Sequence, residues 1–325
     1  MKRLPTMRQL CAFNLLAVTA PALMLLCGLD WYCVLAGGSL SALVLFGLWM
    51  LRRRCGGSGL ADMTLFGWGK RTGAVLLAVQ IALAVLLLNA AVSGVAGAFP
   101  DVQTKPFTPL VLLAFCSWAC GQGKDAVLRA CGVLFLFLCV LLVCVFFFAL
   151  PDAHPSRLLL SGRNNHPAAL AVLLLPCYGL FFAEERTEKR IPGGWLCLSA
   201  LVPTVASALC AAVPGSRGSF YQMAKSVELL SVAQRIEPLV SMAFVIGFFG
   251  AVCLLGLSVG QMCAALGGNA NRSSAAACLA AIPGALAPLP IPSAVYAAAL
   301  AAAALLAAVS LLRCRKRSID KNLAL

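Results

Sequence analysis

The sequence predicts an all-α integral membrane protein of about ten transmembrane helices, and three observations predict it. Of its 325 residues 62% are hydrophobic and 11% charged, where a soluble domain of this length would carry about a quarter charged residues. Apolar runs recur along the whole chain, and about 20 apolar residues carry a helix across a bilayer core. Lys and Arg fall in short clusters between those runs, as they do when insertion leaves cations on one side of the membrane. The formal net charge of +14 is thus topological. There is no basic domain and no interleaving of basic with aromatic residues, so nucleic acid is not an expected partner.

The runs lie at 10–27, 33–51, 73–99, 107–121, 127–149, 168–183, 195–213, 239–265, 274–290 and 293–312, within one polytopic domain, 1–325. The fourth, sixth and ninth are short enough to be tilted, broken or partly re-entrant. The first does not read as a cleavable signal, because no small-residue cleavage site follows it and Asp30 and Trp31 lead straight into the second. Ten spans put both termini on one side. With that side cytoplasmic, nineteen basic residues face inward, including Arg52, Arg53, Arg54, Lys70 and Arg71 and the basic tail 313–325. Six remain outside: Lys105, Arg157, Arg163, Arg217, Lys225 and Arg235. The bias is that of the positive-inside rule.

Two spans carry residues that break helices. The first holds Asn14, Thr19, Ala20 and Pro21; Pro21 removes one backbone hydrogen bond, and Thr19 can re-satisfy a neighbouring carbonyl. The sixth is interrupted by Pro176, Cys177, Tyr178 and Gly179. Broken first and sixth helices are the relation expected of two five-helix inverted repeats, whose ligand sites lie at such breaks. Proline kinks without any ligand are the competing explanation. In the third span, Gln80 and Asn89 lie nine residues apart on different faces; an amide there serves helix packing first and cavity lining second. The candidate ligand-binding residues are therefore Thr19, Ala20, Pro21, Asn89, Pro176, Cys177, Tyr178 and Gly179.

The other polar signals are weaker. No span centre holds Asp, Glu, Lys or Arg, so the carboxylate relay of a proton-coupled pump is absent, and no clustered acid–base groups suggest an enzyme. The sixteen cysteines lie mostly in apolar runs without a CxxC pair, and only His154 and His166 could join them at a metal. They read as small, polarisable core residues, with no metal or other cofactor implied. "GLSVG", Gly256 to Gly260, has the spacing that lets helices approach closely, here within the bundle.

One stretch, "FYQMAKSVELLSVAQRIEPL", concentrates charge. Phe220, Met223, Ala224, Val227 and Leu230 line one helical face and Gln222, Lys225 and Glu228 another, so 220–237 predicts an outer interfacial helix. Pro238 suits the first turn of the eighth span, and Glu237 complements its dipole.

"MAKSVELLSVAQRIEPLVSMAFVIGFFG" resembles the segment leading into the eighth helix of the permease-like B subunits of bacterial spore germinant receptors. In that family a "lakSis" type stretch precedes an "RiE" or "RiD" pair, and Lys225, Ser226, Arg235, Ile236 and Glu237 stand at the matching positions. Residues 108–160, with Gly123, Arg129 and "SRLLL", are similar to that family's fourth and fifth helices, and "TMRQLCAFNLL" fits its start. Two features depart from the pattern: "AVTAPAL" stands where such permeases carry a glycine-rich break, and no proline precedes "AKS". The resemblance implies a ten-helix fold of the amino acid–polyamine–organocation superfamily. It also implies a subunit that senses or passes a small germinant, an amino acid or nucleoside, with other receptor subunits as partners. The location would be a spore inner membrane or the bacterial cytoplasmic membrane, and Lys225, Arg235 and Glu237 would serve assembly or gating. A secondary amino-acid transporter of the same superfamily and a ligand-free membrane scaffold are the alternatives.

Overall fold

The structure is a computed structural model and describes residues 7–55, 59–98, 107–159, 167–181, 193–213, 220–226, 237–286 and 293–323. Among these no strand occurs. In chain order the helices are α1 (Met7–Leu26), α2 (Trp31–Arg54), α3 (Leu60–Trp68), α4 (Lys70–Ala98), α5 (Phe107–Gly121) and α6 (Lys124–Ala149). Two 3₁₀ helices follow, Pro155–Leu159 and Pro167–Phe181. Then come α7 (Gly193–Ala212), α8 (Phe220–Ser226), α9 (Glu237–Ala265), α10 (Ala270–Leu279), α11 (Ile282–Leu286) and α12 (Ser293–Leu323). Six of these, α1, α2, α4, α6, α9 and α12, are long and apolar enough to cross a membrane. The chain is an all-α protein of membrane type, in which helices satisfy their own backbone hydrogen bonds where water cannot.

Burial separates the helices into core and rim. In α1 and α9, 78% and 67% of the apolar window is buried, against 28–39% in α2, α4, α6 and α12. α1 packs against α9, α6, α7, α4 and the long 3₁₀ helix. α9 adds α10, α4, α5 and α6, and α2 lies on α7 and the long 3₁₀ helix. Glycines set the closest approaches. A methyl group at Gly247 would lie 2.5 Å from the Ala20 Cβ, and one at Gly250 would lie 3.1 Å from the Ala17 amide. These two positions lie on the face of α9 toward α1. On the opposite face Gly256 and Gly260 meet Cys278, Ser274 and Ala270 of α10. The Gly256/Gly260 spacing thus serves packing within the bundle, as its small-residue pattern predicts. α9 runs antiparallel to both partners.

One end of the bundle gathers the basic residues. The Cys55 thiol donates to the Leu311 carbonyl at 3.3 Å, which ties the end of α2 to α12. Gly67 lies against the backbone of Cys314, and Gly69, at φ 84°, turns α3 into α4 at the same level. Gln9 meets Gly132, and Asn271 meets Gly123, which brings the starts of α1, α6 and α10 to that end too. The opposite end holds Asp30, the hydroxyl of Ser207 donating to the Leu29 carbonyl, and the His154 amide donating to the Ala212 carbonyl.

Four features bear on the sequence expectations. First, α1 runs unbroken through Pro21. Without the glycines that would free the backbone, one missing N–H does not stop a helix whose other bonds persist. Second, the sixth run is not α-helical and has no local break at Pro176–Gly179; Pro167–Phe181 is one 3₁₀ helix. At about 2.0 Å per residue its fifteen residues reach about 30 Å, the length of a twenty-residue α-helix. That length lets it run antiparallel beside α1 from Asn14 to Leu26. Third, the ninth run, which its short length allowed to be broken, is divided: α10 ends at Leu279 and α11 starts at Ile282. Fourth, α3 lies between the second and third runs, where no helix was predicted, and the basic segment after the last run continues α12 to Leu323. Of the predicted interfacial helix 220–237, only Phe220–Ser226 and the α9 start at Glu237 are described. Phe220 and Met223 are buried there, the latter beside Cys210.

Candidate functional site

The site forms where α1, the long 3₁₀ helix and α9 meet. In a 3₁₀ helix residues three apart eclipse one another, so Ala169, Val172, Leu175, Tyr178 and Phe181 make one row, all buried. The same register stacks Tyr178 on Phe181, with ring centroids 6.1 Å apart and an interplanar angle of 28°. Tyr178 is fully buried, and its hydroxyl has no hydrogen-bond partner among the described residues. Its carbonyl lies 3.0 Å from the Ser258 hydroxyl of α9, which also lies 2.7 Å from the Leu254 carbonyl.

Asn14, two turns into α1, faces Gly179. A methyl group at Gly179 would stand 2.5 Å from the Asn14 Oδ1 and 2.9 Å from its Nδ2, so only glycine admits the amide. Asn14 is 0% exposed, and neither amide atom finds a partner among the described residues. Native interiors rarely leave both ends of a buried amide unpaired. One donor–acceptor amide and one phenol hydroxyl therefore sit on adjoining helices with hydrogen-bonding capacity to spare, and neither carries charge.

The other sequence candidates have different fates. Thr19 donates to the Leu15 carbonyl at 2.6 Å, turned back on its own helix. It satisfies a carbonyl, though not that of Ala17, which Pro21 leaves without its usual donor. Ala20 is packing surface for Gly247, and Pro21 lies inside the continuous α1. Pro176 and Cys177 are buried beside Tyr178 and Gly179. Asn89 lies elsewhere: its Nδ2 donates to Val85 at 3.0 Å, and its Oδ1 accepts from the Gly284 amide at 3.2 Å. Ser93 donates to the Gly284 carbonyl at 3.1 Å, so two residues of α4 clamp the short helix α11. Gln80 faces α12 instead, 3.4 Å from the Ala303 carbonyl. Lys225 and Glu237 are placed by backbone only, in α8 and at the start of α9, and Arg235 lies outside the described residues.

Sequence reasoning noticed Asn14 but left it off the candidate set. Its signal was a carboxamide in an apolar run that also carries the Thr19–Pro21 segment. Most of the cysteines behave as core, with Cys197 exposed: Cys116, Cys120, Cys253 and Cys278 are buried between α5, α9 and α10, with the Cys120 and Cys278 sulfurs 3.9 Å apart. Among the described residues no group of three His, Cys, Asp or Glu side chains is arranged to hold a metal ion. No protein-family model matches the sequence, and no curated protein matches it.

Proposed function

We propose that the chain is a ten-span membrane protein built from two inverted five-helix repeats. In this reading it is a permease-like subunit of a spore germinant receptor that senses or conducts a small germinant. The family part of the reading rests on the resemblance at residues 108–250. What supports the repeat is the pattern of helix contacts. Number the ten runs in order, counting the long 3₁₀ helix as the sixth and α10 with α11 as the ninth. The first touches the fifth and the sixth touches the tenth; the second touches the sixth and the first touches the seventh. The fourth touches the eighth and the third the ninth; the fifth touches the eighth and the tenth the third. In each of these four pairs the second contact is the first moved five runs along, whereas the α1–α9 contact has no comparable counterpart between α4 and the long 3₁₀ helix. The first and sixth runs are antiparallel, with Asn14 at Gly179 and the Val18–Leu26 stretch beside Ala169–Leu173, the relation that inverted repeats require.

The observation that carries ligand binding is the pair of unsatisfied groups, Asn14 and Tyr178, where those two runs meet. Uncharged groups of this kind suit a small net-neutral solute such as an amino acid or nucleoside. Both termini would face the cytoplasm at the basic end, in the bacterial cytoplasmic or spore inner membrane, beside other receptor subunits. A thermal-shift screen of the purified chain against amino acids and nucleosides tests this, with Asn14→Leu and Tyr178→Phe alongside. A ligand at about 100 times its Kd stabilises by about 2.7 kcal/mol. A shift lost in both variants supports the reading. No shift with any compound favours the ligand-free scaffold, the role an unbroken α1 would also suit.

A further inference from the structure

The fold brings three basic segments, far apart in sequence, to one corner of the bundle. They are the end of α2, the start of α4 and the last turns of α12. Arg53 and Arg54 are exposed at the first, Lys70 and Arg71 at the second, and Arg313, Lys316 and Arg317 at the third. Their convergence follows from contacts already described, Cys55 on Leu311 and Gly67 on Cys314, and α3 is the element that joins them. Carboxylates are scarce there: between Arg52 and Thr72 the sequence holds only Asp62, and from Ser310 to the end of α12 only Asp320, which Lys321 follows.

Two of the cations are held in place. The Arg313 guanidinium lies 4.1 Å from the centroid of the Trp68 ring. Arg317 donates to the Phe66 carbonyl at 2.7 Å, with its guanidinium 5.7 Å from the Phe66 ring. Phe66 is itself exposed. Aromatic rings and basic side chains together mark the headgroup level of a bilayer. A guanidinium already fixed on a ring loses little freedom when it meets a planar anion or phosphate. Charge, depth and order thus coincide at a point where apolar helices end.

We propose that this corner is a binding site for an anionic phospholipid. The headgroup phosphate would sit among the ends of α2 and α12 and the α3–α4 turn, with its acyl chains along the apolar flank. It goes beyond the germinant reading and stands whether or not a germinant binds. A soluble polyanion is a poorer occupant because it gains nothing from the adjoining apolar surface, whereas a lipid gains from both.

The full chain reconstituted in phosphatidylcholine nanodiscs, with and without phosphatidylglycerol, provides the test. Retention of phosphatidylglycerol through purification is counted by native mass spectrometry. Replacing Lys70 and Arg71 by Gln touches neither ring contact, and replacing Arg313 and Arg317 by Gln removes both; each should lower retention about fivefold per cation removed. Arg129→Gln with Arg272→Gln, in the other basic cluster at that end, should leave retention unchanged. Retention at the wild-type level in both corner variants would overturn the site, as would a loss in the Arg129/Arg272 control equal to theirs. A third arm adds inorganic phosphate to the phosphatidylcholine discs. Phosphate that raises the unfolding midpoint as much as phosphatidylglycerol does would overturn the lipid as occupant.

Discussion

Replacing Asn14 by Leu should make the protein more stable and less able to bind. The amide is fully buried, and neither Oδ1 nor Nδ2 has a partner among the described residues. Holding such a group away from water costs about 1–3 kcal/mol on the scale of protein mutational data. Leu has nearly the same size and branches at the same carbon, so it can occupy the groove over Gly179. The usual hydrophobic gain does not apply in full, because the unfolded chain in a membrane is also surrounded by hydrocarbon. The expected gain is therefore the recovered penalty, about 1–3 kcal/mol, or a few degrees in the thermal midpoint of the ligand-free protein. The assay is thermal unfolding in detergent, followed by intrinsic fluorescence, on the wild type and Asn14→Leu side by side. A loss of 1 kcal/mol or more in the variant would refute the reasoning, because it would mean that the amide is satisfied in the native protein. A gain in stability coupled to loss of ligand response is the signature of strain kept for function.

Three more outcomes follow from the geometry. A Cβ at Gly260 would lie 2.5 Å from the Ala270 carbonyl, which no side-chain rotation relieves, so Gly260→Leu should cost about 1–3 kcal/mol or more; wild-type thermal stability in this variant would mean that α10 does not pack here as described. Asn89→Leu strips the Gly284 amide of its acceptor and should destabilise by about 1–3 kcal/mol, read as increased hydrogen exchange in α11, whereas unchanged exchange would count against the clamp. The Cys55 thiol is pushed up by burial, with the Cys314 thiol and Arg315 pulling the other way. Less thiolate is then present at neutral pH, and iodoacetamide should alkylate Cys55 more slowly than a free cysteine peptide, the rate rising as pH passes through the alkaline range. Equal rates at pH 7.5 would contradict that burial.

The helical class was legible because hydrocarbon leaves few alternatives. Apolar length predicts a helix wherever it occurs, and each of the ten runs falls on helical elements among the described residues. What was not legible was how the backbone winds within a run. Pro21 and Pro176 look alike in sequence, yet α1 stays α-helical while the run holding Pro176 winds as 3₁₀. A missing N–H is tolerated in either, and only the neighbouring helices decide between them. α3 was hidden for a different reason: nine residues with Asp62 and Gly67 are too short for a periodic signal. Its position depends on Cys314, some 250 residues away. The candidate site was half legible. Tyr178 and Gly179 were singled out for their chain-breaking company, and they sit at the site for another reason, the close contact with Asn14. Asn89 was weighed first as packing and second as cavity lining, and its two hydrogen bonds put it on the packing side.

The long 3₁₀ helix stores length much as a drawn spring does. Its fifteen residues would shorten by about 7 Å if rewound at the α-helical rise. Each residue would also turn about 20° less about the axis, so the row from Ala169 to Phe181 would spiral away from its neighbours. With Gly179 packed closely on Asn14 and the Tyr178 carbonyl within reach of the Ser258 hydroxyl, the Phe181 end has less room to take up that motion than the Ala169 end. Whatever favours one winding over the other would be felt at the far side of the bundle as a piston stroke longer than a full α-helical turn.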